Sequence, residues 1–115
     1  MSSNKETVRK VNDALGQNDT ATFLTYCSED IVWTMVGKPP FKGKAAIEEF
    51  LRPMAGNVPP KLTMIDTIEE GDKIASTGNM TMNNADGTAY NGGFCDIYHF
   101  RDGKISVITT YIVDL

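Results

Sequence analysis

The stretch Phe94-Cys-Asp-Ile-Tyr-His-Phe100 places one carboxylate among aromatic rings. On an extended strand successive side chains point to opposite faces. Asp96 therefore shares a face with Phe94, Tyr98 and Phe100, while Cys95, Ile97 and His99 take the other. Burial disfavours a charged carboxylate and raises its pKa, and a raised carboxyl suits proton transfer near neutral pH. Asp96 is thus the candidate catalytic residue, an acid or proton shuttle inside a pocket. The plainer reading is a polar core group that bonds a Tyr, Thr or backbone atom and fixes the pocket wall. Tyr98 is a candidate ligand contact or an aromatic core residue whose hydroxyl reaches the rim. Thr34 and Thr110 are candidate polar groups on neighbouring strands, with Tyr26 closing the pocket from a second helix and Phe50 from a third.

The remaining reactive side chains carry less weight. His99 is the single histidine, and its ordinary pKa makes it an obvious base, but alternation sets it opposite Asp96, at a surface or an interface. Trp33 alternates away from Thr34, onto the convex face or under a helix. Cys27 and Cys95 lie far apart and match no metal-ligand spacing. With one histidine and no Cys or His cluster, no metal and no other cofactor is expected. The methionines read as core filler, and Glu48-Glu49 as the solvated side of a helix.

These side chains need elements to hold them. Ser3-Asn-Lys-Glu6 fits a capping box, followed by Val8, Val11 and Leu15 at helical spacing and by Gly16 as a stop. Asp19 or Thr20 caps a second, short helix burying Phe23, Leu24 and Cys27. Ile31 to Val36 is a β-branched and aromatic strand. A third helix starts near Gly43, buries Ala46, Ile47, Phe50, Leu51 and Met54, and ends or kinks near Pro53. Four strands follow, at Leu62–Glu69, Lys73–Met82, Thr88–Phe100 and Ile105–Val113. Glu70-Gly-Asp, Asn83-Asn-Ala-Asp-Gly87 and Arg101-Asp-Gly-Lys104 are the turns. Gly92-Gly93 predicts a bulge or bend in the third of them. Segregated helices followed by an antiparallel meander predict an α+β fold.

The chain has 115 residues, which predicts one domain over 1–115. Its formal net charge of -4, with scattered Lys and Arg, argues against a nucleic-acid partner. No stretch is apolar and long enough to span a bilayer, and the polar start lacks a signal-peptide pattern. The expectation is a cytoplasmic protein with reduced thiols.

The order and local motifs resemble the NTF2-like superfamily, in particular its SnoaL-like branch, alongside polyketide cyclases and ketosteroid isomerase. Asn18-Asp19 with Ser28-Glu-Asp-Ile-Val-Trp33, Gly43-Lys-Ala-Ala-Ile-Glu-Glu-Phe50, and Phe94 to Ile105 with Tyr111 and Asp114 carry the likeness. The resemblance implies an NTF2-like cone, three N-terminal helices packed on a strongly curved antiparallel sheet. It also implies a pocket for a small, largely apolar molecule and a homodimer through the convex sheet face. Asp96 matches the isomerase acid that stays protonated and hydrogen-bonds the substrate oxyanion. The isomerase's oxyanion tyrosine corresponds to about Val11 and its general base to about Thr34, neither of which can do that work. Two readings stand: a cofactor-independent isomerase, cyclase or hydrolase, or a non-catalytic protein that holds a hydrophobic ligand.

Overall fold

Helix α1 (Ser3–Leu15) and helix α2 (Thr20–Thr25) open the chain in the computed structural model, which describes residues 3–54, 59–83 and 86–115. Helix α1 buries Val8, Val11 and Ala14 and stops at Gly16, whose N–H reaches the Asn12 carbonyl at 2.9 Å. The Ser3 side chain, half of the expected capping box, lies outside the described residues, and the Glu6 carboxylate pairs with Arg9 instead. Asp19 caps α2, its carboxylate accepting from the Thr22 N–H at 3.2 Å, an interaction that supplies one of the orphaned helix-end donors with a partner.

Strand β1 (Cys27–Met35) begins four residues before Ile31. It is followed by a two-residue strand β2 (Phe41–Lys42) and helix α3 (Lys44–Leu51), which passes into a 3-10 turn over Arg52–Met54. Proline in that turn ends the α-helix as expected. Strand β2 carries too little pattern to be seen in sequence. It is held by pairing to Val32 and Trp33 and by Phe41 stacked on Phe50 at 4.3 Å. The Met54 side chain, Gly56 and the Asn84-Ala85 part of the predicted turn lie outside the described residues.

Strands β3 (Lys61–Glu70), β4 (Lys73–Asn83), β5 (Ala89–Arg101) and β6 (Lys104–Asp114) complete a six-stranded sheet of order β2-β1-β6-β5-β4-β3. The sheet is α+β in its setting and mostly antiparallel, with the helices on its concave face. One pairing departs from the expected antiparallel sheet: β1 runs parallel to β6 and sets Trp33 beside Ile108 and Met35 beside Thr110. Arg101 ties the β5–β6 turn to Asp30 at 2.6 Å, and the Lys104 ammonium donates to the Thr25 carbonyl at 2.8 Å.

The bend expected at Gly92-Gly93 is not a bulge, because pairing runs unbroken through both residues toward β4 and β6. Gly92 instead makes room for the Tyr90 ring, which lies over it. Among the described residues the sheet's irregularities fall between Met64 and Asp66, between His99 and Phe100, and between Cys27 and Val32 in the β1–β6 pairing. Beside the first of these sits Gly78. A Cβ there would stand 2.3 Å from the Thr63 carbonyl oxygen and 2.6 Å from the Phe94 ring. Glycine normally weakens a strand; here it is what allows Phe94 to lie flat on the sheet.

Gly78→Ala is therefore expected to destabilise the fold by about 2 kcal/mol or more, because a backbone atom cannot yield to a new methyl. Gly71→Ala, in open space but at φ 59°, is expected to cost about 1 kcal/mol. Urea unfolding of both variants checks the order; equal costs would show that Phe94 and Thr63 relax freely.

Candidate functional site

The core under the helices is closed at one end and open at the other. Val8, Val11, Phe23, Ile47, Ile74, Ile105 and Ile108 fill the closed end, each at most 2% exposed. An aromatic row crosses it: Phe23 meets Trp33 edge-on at 5.6 Å, and Trp33 meets Phe50 at 6.0 Å. Beyond Trp33 the packing opens into a cavity of about 140 Å³. Trp33 and Met35 from β1, Phe50 and Leu51 from α3, and Phe94 and Met80 from the sheet form much of its apolar wall. A dry cavity of about this size accepts a small aromatic ring.

Asp96 and Thr110 line the cavity together, as cross-strand partners on β5 and β6. The Trp33 indole Nε1–H donates to Thr110 Oγ1 at 2.9 Å, and the Thr110 hydroxyl donates to Asp96 Oδ1 at 2.7 Å. An indole can only donate. Thr110 must then accept from Trp33, and its single proton is directed at Asp96. Oδ1 is thereby held as an acceptor, and a proton taken up by Asp96 belongs on Oδ2. The Tyr98 hydroxyl stands 3.5 Å from Oδ2, a long contact.

Burial pushes the Asp96 carboxyl up to about 6, against the downward pull of hydrogen bonds from Thr110 and then Tyr98. Burial, followed by the nearby Asp96 charge, holds the Tyr98 phenol well above its ordinary value, so Tyr98 stays neutral. Burial likewise pushes the Cys27 thiol up to about 12, which leaves it an inert core residue.

Of the residues expected to face the pocket, Asp96, Thr110 and Phe50 line it, and Thr34, Tyr98 and Tyr26 do not. Thr34 is displaced because Cys27, Ile31 and Trp33 are the buried positions of β1, which turns Thr34 to the other face. Tyr98, only 1% exposed, is buried outside the cavity lining, with its hydroxyl 3.5 Å from Asp96 Oδ2. Tyr26 ends α2 and packs on the core, its carbonyl accepting from the Ile105 N–H at 2.9 Å. Trp33 is settled under α3 rather than on the convex face, and His99 keeps its alternation, since the irregularity falls after it. Three polar lining residues, Asn12, Asn18 and Thr20, were not expected at the pocket from the sequence. Asn12 is 5% exposed, donates to the Val8 carbonyl at 3.0 Å and hydrogen-bonds the Tyr98 hydroxyl. Its signal was an amide set on the apolar stripe of α1, four residues after Val8 and three before Leu15. Among the described residues no group of His, Cys, Asp and Glu side chains is placed to hold a metal, and no helix is long and apolar enough to cross a membrane.

A curved sheet roofed by three helices, with a cavity at the open end, defines the NTF2-like cone. Within that class, the sequence profile of the SnoaL-like domain matches residues 8–108, and the chain belongs to the SnoaL-like family. Solved structures agree in fold. An NTF2-like protein of unknown function from Burkholderia pseudomallei shares 21% identity at a TM-score of 0.90, covering 98% of this chain and 92% of its own. An epoxide hydrolase of the LEH-like type from M. tuberculosis shares 19% identity at 0.83, over 94% and 80% of the two chains. TerC, co-crystallised with polyporic acid, shares 22% identity at 0.82, over 99% and 92%. No curated protein matches the sequence significantly.

The raised Asp96 pKa makes stability depend on pH. Between 3.8, the ordinary carboxyl value, and about 6, the folded chain holds a proton that the unfolded chain has lost. Asp96 thus contributes stability in full at low pH, and that contribution disappears as pH rises through about 6, a loss on the order of 2 to 3 kcal/mol. Asp96→Asn should abolish this component and make the variant more stable than the wild type above pH 6. Thermal melts across this range check the sign; a parallel pH profile in the variant would show that Asp96 titrates normally.

Proposed function

We propose that the cavity receives a small, largely apolar molecule and that Asp96 shuttles a proton on it. The observation that carries this reading is a carboxyl raised to about 6, anchored through Oδ1, in a cavity with apolar walls. Asp96 is the only ionisable side chain among the described cavity-lining residues. A single carboxyl suits a reaction that is proton-neutral overall. The carboxylate removes a proton from one atom of the substrate, the bonding electrons shift within the molecule, and the carboxylic acid returns a proton to another atom. Isomerisation and cyclisation have this balance. Asn12 and Thr110 supply polarity without charge, and no resident cofactor is required by such a step. The fold it shares with an epoxide hydrolase, and with TerC, which was crystallised with polyporic acid, is compatible with an apolar ligand.

A second reading, a non-catalytic carrier of a hydrophobic ligand, is favoured by the same solitary acid, since many acid–base enzymes pair two groups of separated pKa. The two readings part on one experiment. Trp33 is the only tryptophan and lines the cavity, so its fluorescence reports occupancy. The probe 2-tetralone is a small ketone with acidic α-protons. It is expected to bind more tightly as pH falls through about 6, because protonated Asp96 donates to its carbonyl. In D2O the protein should accelerate α-proton exchange several-fold over buffer, and Asp96→Asn should remove the acceleration. Saturable binding without exchange would select the carrier, and no binding by any apolar ketone would sink the pocket reading.

The opposite sheet face supports a homodimer. Ile68, Ala75, Ile97, Thr109 and Thr34 form one uncharged cross-strand row, and Ile68 is 67% exposed. A second copy of the chain is the proposed partner. Sedimentation at micromolar concentration should return the dimer mass, and Ile97→Glu should return the monomer; a monomeric wild type overturns it.

A further inference from the structure

Across β4, the partner of Asp96 in register is Ser76. Ser76 is fully buried at 0% exposure, and among the described residues its hydroxyl has no hydrogen-bond partner. Buried hydroxyls almost always find one, and an orphaned one is a standing cost. Cross-strand neighbours have Cβ atoms about 4.5–5.5 Å apart, so a rotation of the serine side chain about its Cα–Cβ bond carries the oxygen toward the neighbouring carboxyl. Asp96 Oδ1 is committed to Thr110, on the β6 side. Oδ2 is the oxygen left for the β4 side, and among the described residues its hydrogen-bond contact is the long one from Tyr98.

We propose that Ser76 is a positioning residue for Asp96, its hydroxyl turning to donate to Oδ2 when the carboxyl is ionised and turning away when Oδ2 carries the proton. The inference rests on the reading of Asp96 as the group that takes and returns a proton. It supplies that cycle with a movable donor: Thr110 is locked by Trp33, whereas Ser76 is free to follow the charge. An ionised Asp96 then has a donor at each oxygen, and a protonated Asp96 keeps Oδ2–H for the ligand. No charged group competes for the role. Trp33 from β1, Thr110 from β6, Phe50 from α3 and Asn12 from α1 are all neutral, and Tyr98 is the other titratable neighbour, held as a phenol by burial.

The test is an NMR titration of the full chain with carboxyl-labelled aspartate, the Asp96 signal being assigned by its absence in Asp96→Asn. In Ser76→Ala, a near-isosteric change that keeps the core filled, the Asp96 midpoint is expected to rise by about one pH unit, a tenfold gain in proton affinity. The melting temperature of the variant should fall relative to wild type at pH 8, and equal or exceed it at pH 4, where the hydroxyl of the wild type is unpartnered. Ser76→Thr, which restores a hydroxyl, should return the midpoint toward wild type. An unmoved midpoint in Ser76→Ala, with stability equal to or above wild type at pH 8, would mean that the hydroxyl is a permanent orphan and would overturn the proposal. The titration needs no ligand, so its outcome is separate from whether 2-tetralone binds or exchanges.

Discussion

The site depends on one hydrogen bond that crosses the sheet, from the indole of Trp33 to the hydroxyl of Thr110. A carboxylate in an apolar-walled cavity is costly unless donors face it, and Thr110 is the closest donor. A threonine hydroxyl alone is a free rotor and serves as donor or acceptor. Trp33, able only to donate, removes that freedom and aims the proton at Asp96. The direction of the relay therefore comes from a residue that never touches the carboxyl. The arrangement requires β1 to lie parallel against β6, because that pairing places Met35 beside Thr110 and brings the preceding inward side chain, Trp33, within reach of its hydroxyl. The parallel pair is the departure from an otherwise antiparallel sheet, and it is where the functional geometry is made.

The cavity depends equally on what is absent from the sheet. Phe94 forms part of its wall because Gly78 has no side chain, and the Thr63 carbonyl approaches from the other strand at the same point. The register shift between Met64 and Asp66 lies in the strand opposite. Such shifts increase local twist and bend a strand, so the irregularity and the glycine together fit the curved end of the sheet around an aromatic ring. Closed packing under Phe23, Ile47 and Ile105 fills the other end, and the cavity is left at the open one.

Much of this was legible in residue order. The alternation Phe94, Asp96, Tyr98, Phe100 was legible because three large aromatic rings recur at every second residue and fix the face that Asp96 shares, and the segregated helices imposed the α+β class. The phase of β1 was not legible. Ile31, Val32, Trp33, Thr34, Met35 and Val36 suit either face, so a period of two leaves Trp33 and Thr34 interchangeable. Only tertiary contact decides, and Phe23 and Phe50 claim the indole. Tyr98 shares the face of Asp96, yet a shared face does not establish exposure: one strand spans both the open and the packed end of the cone. Asn12 was hidden for a different reason. A helix stripe is read by its apolar members, and an amide within it looks like an interruption unless its burial is known. Ser76 was similarly silent, since a serine on a strand carries no pattern until its neighbours close over it.

The proposed proton chemistry would depend on asymmetry between the two oxygens of one carboxyl. Oδ1 is fixed by a relay that cannot reverse, while Oδ2 has the long phenol contact among the described residues, and the proposed Ser76 donor would act there. A symmetric cage of strong donors would drive the pKa down and lock the acid as a permanent anion. An apolar cage with no donors would keep it permanently protonated. The structure lies between these limits, with desolvation outweighing two hydrogen bonds by enough to place the carboxyl at about 6. Near neutrality both forms are populated, and a group that exists in both forms can give a proton and take it back without a second acid or base. Under the proposed function, a single carboxyl of this kind would suffice for a proton-neutral rearrangement.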